Sequence, residues 1–423
     1  MPPHTPETAA TPQTELKPTT RALLLFSNFL LIILGYYQIK PASRTLFVEY
    51  WGAANLPYVW IATATVLGLI IGYYNRLVER HSRIAIVLGS LAITAFALVL
   101  FWWLLGVGGA AVAVVFYVFV DIFSVVLVEQ FWSLTNTLYS TEAGKRWYGF
   151  VATGGLVGGV LGGGFASLLV SKAGLSTRDL LLVAAAILGL LFVLNLVMGR
   201  HGVFAEAQVK RLPDIQPGNW RVLFRNRYLL LIAMTVLLSQ LVEPITEFQF
   251  ISAIEREYAG TDLRTVYLAN FFSIMGIVSI AINIAVTPLV HRFFGVIAGL
   301  AAQPLMVTLA SLSFLSHPNL FRASIMKIAD RGLSYSINRA SKEILYIPID
   351  PVLIYQAKGW IDMFGYRLFK VIGSVLILAL TQWFALGVSV VDLSLLNLGV
   401  CGAWLLIILM LMPRYRTALA RTT

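Results

Sequence analysis

The sequence predicts an all-α polytopic membrane protein with twelve transmembrane helices, and three observations carry that prediction. The chain of 423 residues is 58% hydrophobic and only 12% charged, whereas soluble domains run at about 45–50% and about 25%. A spanning helix takes roughly 20 apolar residues, so twelve take about 240, or about 57% of this chain, which nearly exhausts its apolar content. The apolar residues also fall into discrete runs separated by short loops, several of them basic, and the mean hydropathy is +0.81. A secreted enzyme, a DNA-binding factor and a disordered scaffold are excluded.

Residues 1–20 are rich in Pro and Thr and read as a disordered cytosolic tail. They do not read as a signal peptide, since no basic segment precedes a short apolar core and a cleavage site. The first apolar run, 22–38, is therefore expected to stay as helix 1. Further runs lie at about 57–74, 84–106, 107–129, 147–171 and 177–199, then at about 228–246, 264–290, 295–316, 321–346, 364–387 and 391–412. The run at 321–346 carries Arg322, Lys327, Asp330, Arg331, Arg339, Lys342 and Glu343. It can span only if most of those groups face protein or water.

The loops at 75–83, 200–227 and 291–292 and the end of the chain are basic, while the turns near 107, 318 and 388–392 carry almost no Lys or Arg. The positive-inside rule then puts both termini in the cytosol and requires an even number of helices. The expected organisation is an N-terminal half at 21–199, a cytosolic linker at 200–227, a C-terminal half at 228–413 and a tail at 414–423. An internal repeat supports the division. Arg76-Leu77-Val78-Glu79-Arg80 resembles Pro288-Leu289-Val290-His291-Arg292, and Leu23-Leu24-Leu25-Phe26 resembles Leu229-Leu230-Leu231-Ile232. Two six-helix halves related by an axis along the membrane normal are the major facilitator architecture.

The net charge of +11 reads mainly as topology signal facing anionic lipid headgroups at the cytosolic face, not as a nucleic-acid surface. Cys401 is the only cysteine and the five histidines are scattered, so no metal site, cofactor or enzymatic centre is expected.

Charged groups at membrane depth are costly, so their positions are informative. Lys40 and Arg44 flank Pro41, which is expected to interrupt helix 1. They form either a pair snorkelling to the outer interface or an anion clamp at a central cavity. Asp121 and Glu129 share a face of helix 4, and unpaired carboxylates there pair across helices or take up protons. Lys145 and Arg146, after Asn136 and Glu142 in the turn between helices 4 and 5, suit a phosphate or serve as ordinary inside-positive residues. The glycines from Gly154 to Gly164 lack a Gly-Lys-Ser/Thr ending and read as a helix-packing stripe, not a phosphate loop. Glu243 and Glu247 share a face of helix 7 beside Pro244, which can kink or end it. They suit proton coupling or pairing with a substrate-binding cation, or lie in an outer loop. Between 336 and 373, Arg339, Lys342, Lys358 and Lys370 stand among acids, which implies internal ion pairs that a polyanion could replace.

With these residues in place, most of the chain resembles the bacterial and plastid ATP/ADP translocase family. The resemblance is most specific at Asp121, Phe131, Trp132, Asn136, Glu142, Ala143, Arg146 and Tyr148, and at Leu241-Val242-Glu243. It continues at Lys342-Glu343 with Tyr346-Ile347-Pro348, and at Lys358-Gly359, Asp362 and Lys370. Three places depart from the pattern. Ser43 stands where the family has a helix 1 lysine, with Arg44 one position later. Asp121 replaces a glutamate, and a Gly-Lys-Ser-Gly-Gly turn survives only as Phe369-Lys370-Val371-Ile372-Gly373.

The resemblance implies a transporter of nucleotides or a related phosphorylated anion, working by ATP/ADP-type exchange, and a monomer is expected. The implied substrate-binding residues are Lys40, Arg44, Asp121, Asn136, Arg146, Glu243, Lys342, Glu343 and Lys370. Asp121, Glu243 and Glu247 are implied to pair with the cations or to couple transport. The alternative is a proton-coupled facilitator for a non-nucleotide solute such as an amphipathic lipid, drug or siderophore, with those three carboxylates carrying protons.

Overall fold

A computed structural model describes residues 17–139, 141–201, 203–204, 223, 226–349, 353, 357–358, 360–384 and 386–420. The side chains of 71–80, 141–142, 145 and 362–363 lie outside the description. Twelve principal helices follow one another in these residues. The first six are α1 (Pro18–Trp51), α2 (Leu56–Arg80), α3 (Arg83–Val107), α4 (Ala110–Leu138), α5 (Thr141–Ser171) and α6 (Leu180–Arg200). The next three are α7 (Arg227–Glu257), α8 (Thr261–Phe293) and α9 (Gly295–Ser316). The tenth, α10, runs Leu320–Leu333, through a π turn at Ser334–Asn338, into Arg339–Tyr346. Its successor α11 starts with a π turn at Ile361–Gly365, continues as Tyr366–Leu378 and ends in a π turn at Ala379–Trp383, and α12 is Leu393–Leu419.

Ten of these helices are long and apolar enough to cross a membrane. The two that are not, α10 and α11, are the charged and interrupted ones. In α10 two of the charges that lower its hydropathy, Lys327 and Asp330, are buried against protein. The twelve runs read from the sequence correspond to these twelve helices, with shifted ends. Helix α1 starts at Pro18, so the last three residues of the expected tail are helical, and residues 1–16 lie outside the described residues. Helix α12 continues to Leu419, into the expected tail. Most of the expected linker at 200–227 falls outside the described residues.

Helix α1 is not interrupted at Pro41; it runs on to Trp51. A mid-helix proline costs about 3 kcal/mol, and here burial of every residue from Pro41 to Val48 among neighbouring helices outweighs it. Helix α7 likewise passes through Pro244 to Glu257, so Glu243 and Glu247 lie within a helix and not in an outer loop. Polar side chains start several of the elements. Asn226 accepts from Tyr228 N and Leu229 N at the head of α7, and Asn319 accepts from Arg322 N at the head of α10.

Two apolar clusters pack the bundle, and the larger takes in Phe47, Leu56, Trp60 and Tyr117 of the first six helices as well as residues of the last six. One gathers Leu25, Phe29, Leu91, Phe116, Phe131 and Leu181; the other gathers Ile232, Phe248, Leu300, Met326 and Trp404. In the first half the glycine stripe of α5 lies against α1. A Cβ on Gly162 would sit 3.0 Å from Leu34 O, and one on Gly158 would sit 2.5 Å from Leu30 O. Only glycine permits that backbone approach. The next glycine, Gly163, faces the other half, where a Cβ would meet Ala269 O of α8 at 2.6 Å.

Candidate functional site

The halves enclose a central cavity of about 260 Å³. Six cations line it: Lys40 and Arg44 of α1, Lys327 and Arg331 of α10, and Arg367 and Lys370 of α11. Three carboxylates accompany them: Asp121 of α4 and Glu243 and Glu247 of α7.

Each carboxylate is engaged. Arg44 Nη2 donates to Asp121 Oδ1 at 2.6 Å. Lys327 Nζ lies 2.7 Å from Glu247 Oε2 and 3.5 Å from Asp330 Oδ2, which sits behind it. Glu243 Oε1 pairs with Arg331 and, at 3.4 Å, with Lys370 Nζ. Asp330 is held from its other side by Thr246 Oγ1 at 2.8 Å and Gln303 Nε2 at 3.2 Å, and Gln303 is itself bonded by Asn338. Burial of these carboxylates at this depth is tolerated because each has a counter-charge.

Two cations differ. No carboxylate lies within salt-bridge distance of Lys40 among the described residues; its ammonium sits 4.2 Å from the ring centre of Phe272 and 5.0 Å from that of Tyr37. Such cation–π contacts soften the desolvation of the ammonium but do not neutralise its charge. Arg367 has Glu129 within electrostatic range. Arg44, whose guanidinium carbon lies 4.6 Å from the Tyr117 ring centre, keeps its Nε buried without a hydrogen-bond partner.

The sequence-predicted residues divide. Lys40, Arg44, Asp121, Glu243, Glu247 and Lys370 come together at the cavity, although they belong to four helices and span 331 positions in the chain. Asn136, Arg146, Lys342 and Glu343 do not line it. Asn136 accepts a hydrogen bond from Tyr148 Oη at 3.0 Å, and Arg146 is exposed beside Trp147. Glu343 pairs with Lys358 at 2.7 Å on the surface, and Lys342 is buried in α10. Gly359 and the side chain of Asp362 fall outside the described residues.

Sequence reasoning left out Lys327, Arg331 and Arg367, as well as the lining rings of Tyr36, Trp60, Tyr117, Phe272 and Tyr335. The signal for the first two was present: they are the charges that made the run at 321–346 too polar for lipid. The rings carried no signal, because aromatic residues are scattered through all the spans.

Beyond the cavity, on the face reached by the ends of α1 and α7, the halves are joined by hydrogen bonds. Arg264 and Thr261 of α8 both donate to Glu49 of α1, at 3.1 and 2.7 Å. Thr177 donates to Asp262 through N and Oγ1, at 2.7 and 2.6 Å. Thr45 and Thr265 share a hydrogen bond of 2.6 Å, and Ala53 N donates to Glu255 at 3.1 Å. Trp383 Nε1 donates to Tyr58 Oη at 2.9 Å, and deeper in the interface Ser273 Oγ donates to Val160 O at 2.7 Å.

Comparison with known proteins agrees with this architecture. A model of the TLC ATP/ADP transporter family matches residues 90–331. ADP,ATP carrier protein 1 of Chlamydia pneumoniae is 24% identical over 62% of this chain and 59% of its own length. ADP,ATP carrier protein 3 of Rickettsia conorii is 21% identical over 65% and 64%. The chain thus spans about three-fifths of the curated relatives it matches. Among solved structures, a bacterial homologue of the iron transporter ferroportin in an inward-facing state superposes with a TM-score of 0.62 at 14% identity, over 95% of this chain and 100% of that one. The nucleoside transporter NupG gives 0.55 at 14% identity, over 94% and 98%. Those similarities establish the major facilitator-type fold, and the match over more than half of the sequence establishes kinship: this multi-pass membrane protein belongs to the TLC ATP/ADP transporter family.

Proposed function

We propose that this protein exchanges nucleotides of the ATP/ADP type across a bacterial inner membrane by alternating access through the central cavity. One observation carries the reading: cations outnumber carboxylates in the cavity, and every lining carboxylate already holds a cation. A polyphosphate entering such a site displaces carboxylates from Arg44, Lys327, Arg331 and Lys370 without leaving a cation unpaired, and it finds Lys40 awaiting a counter-ion. Arg offers a bidentate fork to phosphate oxygens and Lys a point charge. Empty, the cavity keeps an uncompensated positive charge at membrane depth, which disfavours reorientation without substrate and so favours exchange over net transport.

In the orientation given by the basic loops, both termini face the cytosol and the inter-half hydrogen bonds close the periplasmic side. The conformation is then inward-facing. A single chain encloses the cavity, so the monomer is the functional unit in this reading.

The test is counter-exchange in proteoliposomes, with labelled ATP outside and ADP, phosphate or buffer inside. Uptake that needs internal nucleotide is the expected result. Uptake driven by a pH gradient and indifferent to internal nucleotide would replace this reading with the proton-coupled one.

A further inference from the structure

Resting on that reading, we infer that the species accepted by the cavity is the metal-free polyphosphate anion, and that the magnesium complex of the nucleotide is excluded. The inference comes from the sign of the cavity and from the commitments of its oxygen donors. Six cationic side chains and three carboxylates line the space. Two more carboxylates lie just outside it, Asp330 behind Lys327 and Arg331, and Glu129 within range of Arg367. With both included, cations still outnumber anions.

A bound magnesium ion removes two charges from the nucleotide, and with them much of the attraction that a site of this sign offers. It also brings a dication among six cations in a medium where charge interactions are screened far less than in water. Magnesium keeps several waters in octahedral geometry and is usually held by one or two protein carboxylates besides the phosphates. Here Asp121 is bonded to Arg44 at 2.6 Å, Glu247 to Lys327 at 2.7 Å, and Glu243 to both Arg331 and Lys370. Once the polyphosphate takes over these cations, each released carboxylate still stands beside them in the same cavity, so a metal held there sits against Arg44, Lys327, Arg331 and Lys370. Among the described residues, no group of three or more His, Cys, Asp or Glu side chains stands ready to hold a metal.

Lys40 sharpens the point. Its ammonium is set among Phe272, Tyr37 and Tyr36, with no carboxylate among the described residues in contact, so a phosphate oxygen with full negative charge completes it. An oxygen already shared with magnesium does so poorly.

The experiment is ATP uptake into ADP-loaded proteoliposomes at several total ATP concentrations, each titrated with magnesium from zero to excess at constant ionic strength. The expected result is that rates from all titrations collapse onto a single curve against free ATP, with uptake lost as magnesium exceeds ATP and restored by excess EDTA. Rates that follow total ATP or the magnesium complex overturn the inference while leaving nucleotide exchange intact. No exchange even without magnesium overturns the nucleotide reading itself.

Discussion

The two halves face the same cavity with different materials. The N-terminal half is built from unbroken helices held close by glycine, with α5 lying backbone-to-backbone on α1, and among the described residues it presents one ion pair to the cavity, Arg44–Asp121, with a ring-capped lysine. The C-terminal half contains all four π turns found among the described residues, at Ile282–Val286, Ser334–Asn338, Ile361–Gly365 and Ala379–Trp383. It presents a continuous ionic chain from Lys370 through Glu243, Arg331, Asp330 and Lys327 to Glu247. Widened turns recur at functional sites because they re-aim side chains that a regular helix would hold in register. The comparison teaches that the halves share a topology but divide the work: one supplies a rigid frame and the other most of the exchangeable charge.

The sharpest test of that division is to remove one cation from each half. Lys327→Met strips a partner from both Glu247 and Asp330, and its own side chain is only 3% exposed. Breaking a buried pair in this way costs about 3–5 kcal/mol, so a large drop in the detergent melting midpoint is expected. Arg44→Met orphans only Asp121, whose side chain is 16% exposed, and a smaller loss of about 1–3 kcal/mol is expected. Equal losses would erase the asymmetry.

Glycine substitutions separate frame from interface. Gly158→Ile forces α1 and α5 apart within one half and should cost about 1–3 kcal/mol or more through overpacking. Gly163→Val clashes instead with Ala269 across the halves. Its expected effect is a shift toward a state open at the face now closed. The readout is faster thiol labelling of a cysteine placed at Thr265, in a background where Cys401 is replaced by serine. Unchanged labelling would mean that the α5–α8 contact does not close that face.

The smallest effect is expected at the rim. Glu49 is 44% exposed where it pairs with Arg264, and Glu49→Gln should cost at most about 1 kcal/mol, with a salt dependence that an exposed pair shows. A loss as large as that of Lys327→Met would move the centre of charge coupling from the cavity to the rim.

The sequence made the helices legible, and with them the depth of Lys40, Arg44, Asp121, Glu243 and Glu247, because charge within an apolar run announces itself. It misled at Pro41, since local propensity carries no knowledge of the neighbours that bury a helix. Nor could it tell which charges of the run at 321–346 face inward. Lys327 and Arg331 line the cavity while Lys342, on the same helix and within a family-like motif, does not. The π turn at Ser334–Asn338 lies between them and resets the helical register, so a face extrapolated from 3.6-residue spacing is wrong by the time it reaches Lys342.

That contrast offers the most direct test of the account. ATP/ADP exchange, measured per folded transporter in proteoliposomes, would be compared for Lys370→Gln, which empties a cavity position, and Lys342→Gln, which changes a motif position outside it. The account predicts that the first loses exchange and the second retains it. Retention by Lys370→Gln with loss in Lys342→Gln would place the substrate elsewhere and contradict the central cavity as its site.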